Sequence, residues 1–196
     1  KAGITDREKK GLLGWFVLAS HFARYSSAVE TRLNEDLSVI EDGGDYKGLI
    51  SILEEREGDL KQRIKDYISV GAWNYLLLYA ILKANRVKDL SSHQDITTKD
   101  ATFHHIFPIA VLPDSIPYEL VNDIGNVTVT TWGTNANLGR EKPEVYLPRI
   151  PQQIRRTHLI PDDPNLWKID NYEQFIEERR RLLMDGVDVF WRTYIP

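Results

Sequence analysis

The chain contains no cysteine among its 196 residues. Disulfide bridges, zinc sites built from thiolates and cysteine nucleophiles are therefore excluded together. Any bound metal must be held by histidine, aspartate, glutamate, asparagine or backbone oxygen atoms. A chain without disulfides also fits a reducing compartment, and we expect a cytoplasmic protein.

Long apolar runs are also missing. The run Tyr75–Leu82 is far shorter than the roughly 20 residues that a membrane-spanning helix needs, so no membrane partner is expected. Residues 1–10 are polar and lack the apolar core of a signal peptide. No glycine-rich phosphate loop is present, which argues against nucleotide binding by these residues. Because the sequence does not start with Met and enters helical material at once, we expect a fragment of a longer chain.

The chain has no excess of positive charge. It carries 25 basic and 29 acidic residues, for a formal net charge of −4. That balance counts against a dedicated nucleic-acid-binding protein. Basic residues nevertheless cluster at 149–156 and 179–181, whereas acidic residues concentrate between 30 and 66. A local basic surface can therefore exist on an acidic protein.

The hydrophobic pattern predicts a mainly α fold. Apolar residues recur at helical spacing over the ranges 5–26, 27–40, 46–57, 59–69, 72–85 and 172–194. The β-branched run Val127–Thr131 predicts a strand. We therefore expect a helical subdomain over 1–100, a small strand–loop–strand–helix insert over 101–150, and a connector with a final helix over 151–196 that packs on the helical subdomain.

Several polar residues have an ordinary explanation beside a functional one. His158 follows an arginine pair and is interpreted as part of a solvated loop that could touch a phosphate. The basic run Arg179–Arg181 is interpreted as a solvated helix face rather than a DNA-binding groove. Arg24 and Tyr25 fit either a polar anchor between helices or a DNA contact, and the sequence does not separate the two.

The insert carries an adjacent histidine pair, His104 and His105, between large apolar residues. Neighbouring side chains on a strand point to opposite faces, so one imidazole can face a metal and the other a substrate if a local twist brings both to one cleft. Two asparagines follow, Asn126 at the head of the predicted strand and Asn135 beyond its far end. Taken singly, either asparagine could belong to a turn or cap a helix.

The order and spacing of these residues resemble the HNH nuclease motif, also called the ββα-metal or His-Me finger motif. The stretches His-His-Ile-Phe-Pro at 104–108, Asp-Ile-Gly-Asn-Val-Thr-Val at 123–129 and Lys-Pro-Glu-Val-Tyr-Leu at 142–147 are more specific still. They resemble the C-terminal nuclease domain of GmrSD-type and SspE-like modification-dependent restriction proteins. Segments 22–27, 33–37 and 172–176 resemble the flanking helices of that family, so the resemblance covers nearly the whole chain.

The resemblance implies a catalytic role for each matching residue. His105 corresponds to the general base, and Asn126 orients it by fixing the loop that carries it. His104 and Asn135 occupy the two metal-ligand positions; many relatives have Asp at the first.

The cofactor implied is one divalent cation, Mg²⁺ or Mn²⁺ in the family. The imidazole of His104 favours Mn²⁺, Ni²⁺ or Zn²⁺ over Mg²⁺. Arg140 and Lys142 are candidates for contacts with backbone phosphates.

The function implied by the resemblance is a metal-dependent DNA endonuclease or nickase that restricts foreign DNA. Its partners would be double-stranded DNA and an N-terminal nucleotide-binding domain of the same protein. Two alternatives stay open. One is a non-catalytic helical DNA-binding or protein-docking module with a decayed HNH site, which the acidic net charge and His104 leave room for. The other is a nuclease directed at RNA.

Overall fold

The computed structural model describes residues 3–72 and 74–196. In that part of the chain the backbone forms ten α-helices and two strands: α1 (Asp6–His21), α2 (Val29–Glu41), α3 (Tyr46–Glu57), α4 (Leu60–Ser69), α5 (Tyr75–Ala84), β1 (Ala101–His105), α6 (Tyr118–Val121), β2 (Val127–Thr131), α7 (Trp132–Leu138), α8 (Pro143–Tyr146), α9 (Gln152–Thr157) and α10 (Tyr172–Tyr194). The expectation of a mainly helical fold with a small sheet is confirmed. None of the described helices combines the length and the apolar character that crossing a bilayer requires.

Side-chain caps fix where the first helices begin. Thr5 caps α1 through the amide of Glu8, whose carboxylate returns a bond to the Thr5 amide in a complete capping box. Asp45, Asp59 and Asn74 cap α3, α4 and α5 in the same manner with a single side-chain bond each. Such a cap is worth about 1 kcal/mol. The helix starts therefore follow from local sequence.

The two strands form an antiparallel pair in which His104 lies opposite Thr128 and His105 opposite Val127. Helix α7 follows β2 without a loop, because Thr131 ends the strand and caps the helix by accepting from the Thr134 amide. The predicted strand over Val127–Thr131 is confirmed residue for residue. A strand, a second strand and a helix thus follow one another within the predicted insert.

Two apolar clusters form the interior. The first joins α1, α3, α4 and α5 to the underside of β2 and to the C-terminal half of α10. The second collects Ile106 and Phe107 after β1 with α8, the 151–171 connector and the N-terminal half of α10. Helix α10 is the element that contributes heavily to both.

Helix α2 packs differently from its neighbours. Its apolar residues Val29, Leu33, Leu37 and Ile40 share one stripe, as the sequence indicated, yet all are 44–56% exposed. The buried residue of α2 is Asp36. A polar contact of Asp36 therefore holds this helix.

The carboxylate of Asp36 accepts hydrogen bonds from the Arg24 guanidinium and from the Tyr25 hydroxyl. Arg24 is itself buried. The alternative left open for Arg24 and Tyr25 is thus decided in favour of a polar anchor between α1 and α2.

Arg179 on α10 is fully buried and donates to backbone carbonyls instead of a carboxylate. Its Nη1 lies 3.2, 2.8 and 2.7 Å from the carbonyl oxygens of Ile124, Gly125 and Val127, and its Nη2 lies 3.1 Å from that of His158. Burial lowers the pKa of Arg179 to about 9. These bonds tie the start of β2 to α10.

The expectation of a solvated arginine face on α10 is therefore wrong for most of the run. Arg179 is buried, and Arg180 forms an ion pair with the buried carboxylate of Asp123. Arg181 alone of the three is largely exposed, where it pairs with Glu178. Adjacent residues of an α-helix point in different directions, so neighbouring arginines can have different environments. A run of basic residues in the sequence does not show which of them is buried.

Replacing Arg179 with lysine should destabilise the fold strongly. Arg179→Lys keeps the charge but cannot serve four carbonyls at once, so we expect the free energy of unfolding to fall by about 3 kcal/mol. Urea denaturation followed by circular dichroism measures it. The matched change Arg181→Lys on the exposed side should alter stability by less than about 0.5 kcal/mol. We call the four carbonyl contacts of Arg179 the Arg179 clamp. An equal loss of stability in Arg179→Lys and Arg181→Lys would contradict its importance for the fold.

Candidate active site

His104 and His105 occupy the last two positions of β1 and make different contacts. The Nδ1 atom of His104 lies 2.7 Å from Oδ1 of Asn135 on α7. The Nε2 atom of His105 lies 3.3 Å from Oδ1 of Asn122, at the end of α6. The structure thus brings one histidine to Asn135 and the other to an asparagine that the sequence reasoning did not single out.

The His104–Asn135 pair is nearly enclosed. His104 is 4% exposed, and this burial lowers its pKa, so the ring is neutral near pH 7. Nδ1–H donates to the Asn135 oxygen, which leaves Nε2 as the nitrogen without a proton. That Nε2 is buried, and no residue in the described part of the chain forms a hydrogen bond with it. An unsatisfied buried acceptor of this kind costs about 1–3 kcal/mol.

The donor set of this pair fits a divalent cation. In the other tautomer, with the proton on Nε2, the Nδ1 lone pair and Oδ1 of Asn135 lie 2.7 Å apart, near the roughly 3 Å between adjacent ligands with bonds of about 2.0–2.2 Å, so a bound cation would take the place of the hydrogen bond. Asn135 is partly exposed, so a cation can be reached from its side. No group of three or more His, Asp or Glu side chains suited to a metal occurs among the described residues. The candidate ligands are therefore two neutral groups, which favour Mn²⁺, Ni²⁺ or Zn²⁺ over Mg²⁺.

A buried carboxylate, Asp89, fixes the position of α7. Its Oδ1 accepts from the Thr130 hydroxyl at 2.7 Å and the Thr131 amide at 2.9 Å. Its Oδ2 accepts from the Thr134 hydroxyl at 2.7 Å and the Ser92 amide at 2.9 Å. Burial alone would raise the pKa of Asp89, but these four hydrogen bonds together bring it well below the ordinary value.

Asp89 therefore acts on Asn135 through its neighbour Thr134. Sequence reasoning missed it because the residue stands in a polar stretch between two elements, 41 to 45 positions before the threonines that it binds. The one available signal was the row of threonine hydroxyls in and after β2, each of which needs an acceptor once the strand is buried.

Replacing Asp89 with asparagine should loosen this arrangement. Asp89→Asn puts amide protons against donors, so we expect a loss of about 3 kcal/mol in the free energy of unfolding at pH 7. Because the folded pKa lies below the unfolded value, the stabilisation by Asp89 is present above about pH 4 and is lost as the pH falls further. Urea denaturation from pH 7 to pH 2 checks both statements. A variant as stable as wild type at pH 7 would refute them.

The orientation of the His105 ring is set by Asn122. Nδ2 of Asn122 donates to the Tyr118 carbonyl at 3.0 Å, so its Oδ1 is the atom that faces His105. Nε2–H of His105 then donates to that oxygen, and Nδ1 keeps its lone pair. The half-buried ring has a pKa lowered by burial, against the opposing effect of this hydrogen bond. His105 is therefore a neutral imidazole with one nitrogen able to accept a proton.

Asn126 is buried and holds the turn that follows β1. Its Oδ1 accepts from the Phe107 amide at 2.8 Å, and its Nδ2 donates to the carbonyls of Phe107 at 3.1 Å and Val121 at 3.0 Å. Two of these three hydrogen bonds are with the backbone of Phe107, two residues beyond His105. Asn126 thus fixes the chain that carries the histidine and makes no hydrogen bond with its ring.

His158 is fully buried, so the expectation of a solvated loop is wrong. Its Nδ1 accepts from the Thr128 hydroxyl at 2.7 Å, and its Nε2–H donates to the Lys88 carbonyl at 2.6 Å. Burial lowers the pKa of His158 to about 3. A neutral histidine thus ties β2 to the segment that leads into Asp89.

Stability should depend on pH through His158. In the unfolded chain this histidine binds a proton below about pH 6.5, whereas the folded protein keeps it neutral down to about pH 3. Stability is therefore lost as the pH falls through this window, by about 2 kcal/mol at pH 5. His158→Gln, which cannot be protonated, should be less stable at pH 8 but lose less between pH 8 and pH 5. The exposed control His93→Asn should keep the wild-type slope, and an unchanged slope in His158→Gln would contradict the assignment.

Arg140 and Lys142 are exposed on the loop between α7 and α8. Within the ranges 3–72 and 74–196 neither takes part in an ion pair. Their side chains are therefore available to a negatively charged ligand. They follow Asn135 by five and seven positions.

The chain was compared with known proteins at three levels. Family models, curated proteins and solved structures give no match. What the chain does is therefore inferred from the geometry of these residues and from the motif in the sequence.

Proposed function

We propose that the chain is a metal-dependent phosphodiesterase that cuts or nicks double-stranded DNA, as the nuclease part of a system that restricts foreign DNA. The observation that carries the proposal is the 2.7 Å approach of His104 and Asn135 where β1, β2 and α7 meet, with neutral His105 as the next residue. Two strands followed by a helix, with these residue types at these places, are what an HNH nuclease needs. On the same resemblance, the proposal includes a nucleotide-binding domain as partner and a cytoplasmic location.

The chemistry of the step suits His105. Its Nδ1 accepts a proton from a water molecule, the water oxygen attacks the phosphorus, and the bond from phosphorus to the 3′ oxygen breaks. A divalent cation on His104 and Asn135 would neutralise phosphate charge and stabilise the leaving oxygen. Asn122 keeps the proton on Nε2, so that Nδ1 is the basic nitrogen. Arg140 and Lys142 would hold flanking phosphates.

A second candidate has its own support in the structure. His104 is almost wholly enclosed, and both candidate ligands are neutral. A plain hydrogen bond between histidine and asparagine would join β1 to α7 equally well. On this basis the alternative is a helical DNA-binding or docking module that keeps the HNH framework without activity.

Nicking of supercoiled plasmid separates the two candidates. We expect nicking with Mn²⁺ that is weaker with Mg²⁺, and His105→Ala should lower the rate at least about 100-fold. His93→Asn, at an exposed histidine with φ +58°, serves as the matched control because asparagine tolerates that backbone. No nicking by the wild type with any of Mg²⁺, Mn²⁺, Ni²⁺ or Zn²⁺ would favour the inactive module.

Metal binding has a readout that does not require activity. Calorimetric titration with Mn²⁺ should give one site in the wild type, lost in Asn135→Ala and retained in His93→Asn. A site that survives Asn135→Ala would place the metal elsewhere.

A parallel assay on single-stranded RNA tests the remaining alternative, a nuclease directed at RNA. Cleavage of RNA in preference to duplex DNA would overturn the choice of substrate.

A further inference from the structure

A cavity of about 630 Å³ lies where the N-terminal end of α1 meets the C-terminal ends of α5 and α10. Five cationic side chains and one carboxylate line it: Arg7, Lys10, Lys83, Arg86, Arg192 and Asp6. The chain as a whole is acidic, with a net charge of −4. This concentration of positive charge therefore reflects how the helices are placed.

The charges in this cavity are poorly compensated. Asp6 is paired with Lys9. Lys83 donates to the carbonyl of Ile96, which satisfies a hydrogen bond without cancelling charge, and Arg7 donates to an oxygen of Pro196, the last residue of the sequence.

The other three cations of the cavity are Lys10, Arg86 and Arg192. All three are exposed, and in the described part of the chain none of them forms an ion pair. Like charges gathered in this way repel one another until an anion enters.

Helix dipoles account for only part of the cluster. Lys83 and Arg192 lie in the last turns of α5 and α10, where a positive charge is favourable. Arg7 lies in the first turn of α1, where it is unfavourable, and Lys10 follows one turn later. The stability of the helices therefore does not explain why cations from all three meet.

Arg86 is presented to the cavity by the turn that ends α5. It follows the C-cap of α5 with a φ of +59°, in the left-handed region that favours glycine. Glycine at this position would remove the backbone strain. The exposed guanidinium makes no hydrogen bond in the described residues that would offset that strain. A left-handed residue directly after the C-cap is a usual way for a helix to end, and here the amides of Arg86 and Val87 bond to the carbonyls of Lys83 and Leu82.

We propose that this cavity binds phosphate groups of a DNA backbone and anchors the duplex on a surface separate from the candidate active site. The choice of DNA rests on the proposed function. Guanidinium groups match the geometry of phosphate oxygens, and two of the three uncompensated cations are arginines. Cations spread over three helix ends suit successive phosphates of a strand, and a free polyphosphate is the other source of the same chemistry.

The test uses the whole chain and a fluorescein-labelled 30-base-pair duplex in EDTA, where no metal-dependent cleavage occurs. The triple variant K10Q/R86G/R192Q removes the three uncompensated charges, and R86G also relieves the left-handed residue. We expect an affinity at least about 10-fold lower near 100 mM salt, with the slope of log K against log salt reduced by about 2. The melting temperature should stay at the wild-type value or rise.

A matched triple variant, K47Q/K168Q/R181Q, removes the same charge from exposed positions outside the cavity. It should bind DNA within about 2-fold of the wild type. An equal loss of affinity in both triples, or in neither, would overturn the proposal.

Inorganic tripolyphosphate separates the two phosphate sources. Displacement of the duplex by tripolyphosphate only at millimolar concentration supports the DNA backbone. Tight tripolyphosphate binding that K10Q/R86G/R192Q abolishes while duplex binding survives would reassign the cavity to a free polyphosphate.

The result is distinguishable from that for the proposed function. If the wild type binds duplex through the cavity but does not nick plasmid, the proposed nuclease function is wrong and DNA binding by the cavity is supported. If His105→Ala abolishes nicking while both triple variants bind DNA like wild type, the nuclease function is supported and DNA binding by the cavity is wrong.

Discussion

The guanidinium of Arg179 is the contact on which the arrangement of the insert depends. It holds the carbonyls of Ile124, Gly125, Val127 and His158, so the start of β2 and the segment after α9 are fixed to α10 by one side chain. All the hydrogen bonds found for this side chain within residues 3–72 and 74–196 are to backbone carbonyls, whose dipoles stabilise the cation. The strand pairing, and with it the position of His104 and His105, follows from where this clamp sets β2.

Around that clamp, further buried polar groups fix each face of the small sheet. Asp89 holds the junction of β2 and α7, His158 joins β2 to the chain before Asp89, and Asn126 closes the turn after β1. Asp89 and Asn126 each form three or more hydrogen bonds, and His158 forms two short ones. Together these buried groups form a rigid polar network around the small sheet. Such a network holds His104 and Asn135 close together before any ligand arrives, the condition that catalysis by positioning requires.

Local signals predicted the elements well. The bounds of α3, β2 and α10 follow from N-caps, β-branched residues and helical period, all of which act within a few residues. The residues that order the site were harder, because their partners lie far away in sequence. Asp89 binds threonines about 40 positions later, and Arg179 binds carbonyls more than 50 positions earlier. Asn122 lay close to the motif but outside its pattern, so only the folded chain reveals that it orients His105.

The position of helix α10 affects how the protein unfolds. Its 23 residues form a rod of about 35 Å whose two halves belong to different apolar clusters. Fraying of α10 at its N-terminal end exposes side chains of the second cluster and weakens the contacts of Arg179, which lies in that half of the helix. The helical framework and the strand pair are therefore thermodynamically linked, and the chain should melt as a single cooperative unit.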